Sequence, residues 1–235
     1  MVRKLHAFVL AGGKSTRMGT DKAALALEGR TLLEHALATL RQVAAEVAIL
    51  GPKLLYSSYG VPVIEDIYPG CGPLAGIHAA LTHVAQRSAK TQLPPSAPLS
   101  LIIAVDTPFL DPKFLAYLAQ RARDSAAVVT TPEIAGHTQP LCAVYSLDFL
   151  VIAERALKAG TEKAQREAQS GQDHPAARKV GPKSSDYKIV PLFPADRTCV
   201  ITETEMRKFA FVLEMFENLN TPEDLERARR RATKP

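Results

Sequence analysis

Short, nearly continuous apolar runs alternate along the chain with stretches whose apolar residues recur every three or four positions. The first kind predicts strands covered on both faces, the second amphipathic helices. Leu5 to Ala11 is the first run, and it leads straight into Gly12-Gly13. Thr31-Leu32-Leu33-Glu34 has the form of a capping box, and Leu33, Ala36, Leu37, Leu40 and Ala44 follow on one helical stripe. Glu46 to Leu50, closed by Gly51-Pro52, and Val61 to Ile64 predict two more strands. Gly72-Pro73 opens a helix with Leu74, Ile77, Leu81 and Val84 inward, proline being tolerated at a first helical position. A proline-rich loop from Thr91 to Pro98 precedes Leu99 to Val105, the most strand-like run, which predicts a central strand ended by Asp106-Thr107-Pro108. Asp111-Pro112 caps a helix running through Arg123, and strands are expected around Ala126 to Thr130 and Leu141 to Tyr145.

Residues 159–185 are rich in Gln, Lys, Ala and Gly and offer little to bury, which predicts a polar helix end and a mobile insertion. Tyr187 to Phe193 and Phe209 to Phe216 return to strand-like composition, and Thr221-Pro222-Glu223-Asp224 caps a last helix. Strand and helix alternating through short connections predict an α/β protein: a doubly wound, mostly parallel, Rossmann-like sheet in three layers. With no internal repeat and no second core, residues 1–235 are expected to form one domain.

Composition narrows the function classes. Lys plus Arg (29) exceeds Asp plus Glu (24) by 5, but Arg227, Arg229, Arg230, Arg231 and Lys234 crowd the last nine residues. The rest is nearly neutral, which argues against a nucleic-acid surface and for a solvated helix end near the negative pole of its dipole. No apolar run approaches the ~18 residues of a membrane span, and the start of the chain reads as a strand, not a signal peptide. Cys71, Cys142 and Cys199 lie far apart with no paired motif, which fits a reducing cytoplasm.

The candidate chemistry begins where the first strand ends. Glycines at a strand's carboxyl end let a backbone approach a ligand and point amides at it, and open α/β sheets bind ligands at that end. Lys14, Arg17 and Lys22 add cations suited to a triphosphate. A Walker loop would need glycine where Phe8 stands, and adjacent Gly12 and Gly13 break the dinucleotide pattern Gly-x-Gly-x-x-Gly. Asp106, at the end of the central strand and beside this cationic loop, is placed to hold Mg²⁺, and Asp66 ends another strand nearby. His78 and His137 have no partner at metal-ligand spacing, and Asp111 and Thr221 read as helix caps.

Leu10-x-Gly12-Gly13-x-Ser15-x-Arg17-Met18-Gly19-x-Asp21-Lys22 resembles the signature loop of nucleotidyltransferases that join a nucleoside triphosphate to a phosphorylated acceptor. Together with Gly72-Pro73-Leu74-Ala75-Gly76-Ile77, Asp106-Thr107-Pro108-Phe109, Gln139-Pro140-Leu141 and Asn218-Leu219-Asn220-Thr221-Pro222, it resembles the molybdenum cofactor guanylyltransferase family of MobA type. The likeness runs from residue 5 to about 229 and lapses only near 159–208.

The resemblance implies transfer of GMP from GTP to the terminal phosphate of molybdopterin, with pyrophosphate released. It implies that Leu10, Ala11, Gly12 and Gly13 hold base and ribose, that Asp66 joins the GTP site, and that Arg17 and Lys22 neutralise phosphates. Asp106 would hold Mg²⁺, and Asn218 and Asn220 would lie near the pterin. Molybdenum-insertion proteins and molybdoenzymes are the expected transient partners. The family often has Asn after the second strand; here Leu50-Gly51-Pro52-Lys53 leaves that base contact to the backbone or to nothing. The alternatives are a relative that uses CTP or acts on a sugar or polyol phosphate, and a nucleotide-binding scaffold without chemistry.

Overall fold

The computed structural model describes residues 4–12, 21–91, 98–170 and 187–232. Strand β1 (Leu5–Leu10) lies between β4 (Glu46–Leu50) and β6 (Leu99–Ala104), parallel to both. Between β1 and β4 come a small hairpin of β2 (Ala26–Leu27) and β3 (Arg30–Thr31) and helix α1 (Leu32–Arg41). Beyond β4 lie the short α2 (Lys53–Tyr56), β5 (Val63–Ile64) and α3 (Pro73–Thr91). After β6 come α4 (Pro112–Ser125), β7 (Val129–Ile134), β8 (His137–Thr138), β9 (Cys142–Ser146) and α5 (Asp148–Ser170). The chain ends with β10 (Thr198–Ile201), α6 (Glu203–Lys208) and α7 (Pro222–Ala232). The sheet order is β10-β7-β9-β6-β1-β4-β5, with β8 paired to β7. Among the described residues, β9 alone on that path runs against its neighbours, and β8, off the path, is antiparallel to β7; the other pairings are parallel.

Every residue of β1 is buried, and its side chains alternate between two cores. Leu5, Ala7 and Val9 join a core with Leu33 and Leu37 of α1, Phe114 and Leu118 of α4 and Leu225 of α7. Phe8 and Leu10 face the other way, toward Leu74 and Ile77 of α3 and Phe149 and Leu157 of α5. This is the doubly wound, three-layer arrangement expected from unbroken apolar strands.

Helix starts follow their caps. The Thr31 hydroxyl accepts from the Glu34 amide at 3.1 Å while the Glu34 carboxylate accepts from the Thr31 amide at 2.7 Å, as the capping box predicts. Asp111 accepts from the Lys113 amide ahead of α4. The basic end of α7 is partly neutralised: Arg227 pairs with Asp224 and Glu217, and Arg229 with Glu226 and the Ala26 carbonyl. Among the described residues no helix is long and apolar enough to cross a membrane.

Three expectations need correction. Ala126 takes a left-handed conformation (φ 49°) to end α4, so the strand expected at 126–130 begins only at Val129. Tyr187 to Phe193 is no strand; Val190–Leu192 is a 3-10 turn, and Phe193 packs edge-on against Tyr145 and Phe149. Phe209 to Phe216 is no strand either. Ala210 has φ 59°, Leu213–Phe216 is a 3-10 turn, and Phe211 and Phe216 clasp Phe114 with ring centres 5.3 Å apart. In both segments the aromatics plug a core and do not pair along a ladder. The polar helix end expected from residue 159 is present, since α5 continues through residue 170; residues 171–185, where the expected insertion would fall, lie outside the described residues.

Candidate active site at the carboxyl edge of the sheet

The carboxyl ends of β1, β4 and β6 lie side by side, and three loops meet over them. Past the end of β6, Val105 still donates to the Leu10 carbonyl (3.1 Å), and the Thr107 hydroxyl closes the turn on the Ala104 carbonyl (2.9 Å). Asp106 projects from this turn. Its backbone carbonyl accepts from the Leu219 amide at 2.9 Å, which ties the loop before α7 to the central strand. That loop is also held by Asp224, whose carboxylate accepts from the Asn220 and Thr221 amides at 3.0 and 2.9 Å. These bonds hold the Asp224 carboxyl below its ordinary pKa.

Lys22 comes from the third loop. It starts a 3-10 turn (Lys22–Ala24) capped by Asp21, whose carboxylate accepts from the Ala23 amide at 3.0 Å, and Ala23 is fully buried. The Lys22 ammonium lies 3.0 Å from an Asp106 carboxylate oxygen and 2.5 Å from the Asn220 side-chain oxygen. About a fifth of each side chain of the Lys22–Asp106 pair is exposed, so solvent screens it less than a surface pair. Lys22, Asp106 and Asn220, far apart in the chain, thus form one cluster.

The other predicted residues are placed as follows. The Ala11 and Gly12 amides both donate to the Leu50 carbonyl, at 3.0 and 3.2 Å, so neither points outward as a free donor. The β1–β4 ladder runs on past the formal end of the strand and uses them. A Cβ on Gly12 would lie 3.5 Å from the Gly51 Cα, so the two glycines form a bare main-chain floor beside Leu10. Asp66 stands at the rim, with one carboxylate oxygen facing the first turn of α3, and desolvation raises its pKa. Gly72 has φ 67°, and a Cβ on Gly76 would lie 2.4 Å from Leu10 Cδ1. The Gly72–Gly76 motif therefore turns the chain sharply and lets α3 press against the end of β1. Asn218 is exposed and is not part of the Lys22 cluster. Gly13, Lys14 and Arg17 lie outside the described residues. His78 is buried on α3, edge-on to Tyr68, and burial lowers its pKa.

Sequence reasoning missed Tyr56. Its hydroxyl lies 2.9 Å from the Asp21 carboxylate and 3.1 Å from the Ala11 carbonyl. Burial, then the neighbouring carboxylate, raises its pKa far enough to keep the phenol protonated. Nothing in the local pattern around Lys53–Tyr56 marks it. Asp21 could have been found as a capping acid just ahead of a short turn.

Among the described residues no three metal-binding side chains come together. The Lys22–Asp106 pair lies at the carboxyl edge of the α/β sheet, the edge at which such sheets bind ligands. Residues 7–174 match the family model described as "MobA-like NTP transferase domain". The chain belongs to this family of nucleotidyltransferases. It is 33% identical over 226 residues to a molybdenum cofactor guanylyltransferase of Rhizobium meliloti, covering 94% of this chain and 89% of that one. It is 31% identical over 222 residues to a probable molybdenum cofactor guanylyltransferase of Pelotomaculum thermopropionicum, covering 94% and 90%. Molybdopterin-guanine dinucleotide biosynthesis protein A from Archaeoglobus fulgidus superposes with a TM-score of 0.71 at 25% identity, over 98% of this chain and 100% of that one.

Proposed function

We propose that this protein transfers GMP from GTP to the terminal phosphate of molybdopterin, releasing pyrophosphate, and that it does so as one domain in the cytoplasm. The observation that carries the reading is the Lys22–Asp106–Asn220 cluster at the carboxyl edge of the sheet. The likeness to guanylyltransferases over nearly the whole chain supports the choice of GTP and molybdopterin.

A phosphomonoester has a second pKa of about 6, so the attacking phosphate is mostly dianionic near neutrality. The reaction needs no general base. One oxygen of that phosphate bonds to the α-phosphorus of GTP while the bond from the α-phosphorus to the bridging oxygen breaks, and pyrophosphate leaves with that electron pair. The protein's work is to align two anions and neutralise them. Lys22 gives up Asp106 and Asn220 for the triphosphate as nucleotide enters, and Arg17 adds a second positive charge. The backbone from Leu10 to Gly13 and the carboxylate of Asp66 hold the nucleoside, and Asn218 and Asn220 orient the pterin-bearing substrate.

The donor set fits Mg²⁺, which is usually held by one or two carboxylates plus phosphate oxygens and water. Asp106 is the residue to hold it, and when bound it supplies charge neutralisation across the phosphates. Titration of the purified protein with GTP, CTP and ATP in the presence of magnesium tests the assignment. Preference for GTP is the expected result; preference for CTP would move the protein to the cytidylyl branch.

A further inference from the structure

We infer that Tyr56 is a positioning residue for this reaction: its hydroxyl holds the Asp21 carboxylate and the Ala11 carbonyl together and so fixes the turn from which Lys22 reaches Asp106. The inference rests on the role proposed above for Lys22. Tyr56 ends α2, on the connection after β4 that also carries Gly51, and comes from none of the three loops that supply Lys22, Asp106 and Asn220. Only 3% of it is exposed, and its ring packs so closely on Gly51 that a Cβ there would come within 2.8 Å of Tyr56 Cε2. The ring is therefore fixed by packing, and the hydroxyl is carried to one place.

That place is where the two ends of the glycine-rich segment meet. Ala11 precedes residues 12–20 and Asp21 follows them, and one phenol proton is shared between the Ala11 carbonyl and the Asp21 carboxylate. Asp21 is then held at both oxygens, Oδ2 by Tyr56 and Oδ1 by the Ala23 amide that it caps. This matters because Lys22 has two acids within reach of its loop, Asp21 beside it in sequence and Asp106 across the cleft. The two bonds fix the orientation of the Asp21 carboxylate, and the Lys22 ammonium is bonded to Asp106 and Asn220. Lys22 is thereby poised toward the phosphate side before substrate arrives, the kind of preorganisation that lowers a charge-neutralisation barrier.

The test compares the wild-type protein with Tyr56→Phe, Asp21→Ser and the double variant. Phenylalanine keeps the ring and loses the hydroxyl; serine still caps the turn but cannot span to Tyr56. GTP-dependent pyrophosphate release in the presence of magnesium and molybdopterin gives kcat and KM, and thermal unfolding is followed in parallel. The expected result is a fall in kcat of about tenfold for each single variant, the size of one hydrogen bond to a charged group, with KM for GTP within about twofold. The double variant should be no worse than the poorer single one, because the two residues act as a unit. A Tyr56→Phe protein that melts earlier but keeps its kcat, or losses that multiply in the double variant, would overturn the inference and leave the functional reading standing. A wild-type protein that releases no pyrophosphate from GTP would overturn the functional reading, and this inference with it.

Discussion

At its amino end β1 sets Lys4 and His6 against Glu46 on β4; beyond its carboxyl end Lys22 meets Asp106 and Asn220. Both clusters place a lysine on an acid, but they are assembled differently. His6 and Glu46 are register partners of adjacent strands, and the His6 ring nitrogen lies 2.9 Å from the carboxylate, which Lys4 and Arg87 also approach. Sheet pairing brings His6 and Glu46 together, with Lys4 just ahead of β1 and Arg87 reaching in from α3, so the core of this cluster persists as long as the sheet does. The carboxyl-end cluster has no such register. It depends on a capped 3-10 turn, a strand-end turn and the loop before α7, each held by its own hydrogen bonds. A cluster assembled from loops can part and admit a ligand without cost to the sheet.

The largest expected effect comes from breaking the carboxyl-end cluster. Lys22→Ala or Asp106→Ala should lower the rate of pyrophosphate release by roughly 100-fold or more, the scale of losing a preorganised charge partner, while the melting temperature stays close to wild type. Near-normal turnover in either variant would remove that residue from the mechanism. Next is the floor on which the cluster rests. Gly76→Ala forces a methyl into Leu10 and should cost about 1–3 kcal/mol of stability by denaturant unfolding, as overpacking does.

Asp66 ought to separate stability from function. Desolvation raises its pKa above 3.8, so the folded state holds the proton more tightly than the unfolded chain, and stability falls as pH rises from about that value through the folded pKa. Asp66→Asn should remove that pH dependence and leave the melting temperature at neutral pH equal to wild type or above it. GTP affinity measured by calorimetry should drop. Unchanged affinity would take Asp66 out of the site.

The smallest effect is expected at the amino end. Glu46→Gln should cost less than ~1 kcal/mol, because its partners Lys4 and Arg87 are half exposed, and should leave turnover unchanged. Burial lowers the pKa of His6 below 6.5, against the pull of Glu46 and with help from Lys4, Arg87 and His83. Its contribution to stability is therefore complete above 6.5 and is lost as pH falls from there toward the folded value. Removing Glu46 lowers the His6 pKa further, so acid melts of Glu46→Gln should show this loss extending to lower pH.

What could be read in the sequence divides along the same line. Elements set by local pattern were legible: the runs of β1, β4 and β6, the capping box of α1, and Asp111 ahead of α4. Motifs marked the candidate site residue by residue, at Lys22, Asp106 and Asn220. It was not legible where contact alone makes it, because Lys22 and Asn220 stand 198 positions apart and Tyr56 belongs to no recognisable motif. Aromatic composition misled near residues 187–193 and 209–216, where Phe193, Phe211 and Phe216 serve as core plugs in irregular backbone. The strand actually present there, Thr198–Ile201, is an edge strand too short to show alternation.

Where Gly12 and Gly51 meet, neither residue adds a side chain, and the Tyr56 ring covers Gly51. The two positions tolerate change unequally: a methyl on Gly12 would make ordinary contacts with the Gly51 backbone, whereas one on Gly51 would run into the Tyr56 ring. Variation at this edge of the sheet is therefore freer at Gly12 than at Gly51, whose size is limited by the same ring that carries a hydroxyl to Asp21.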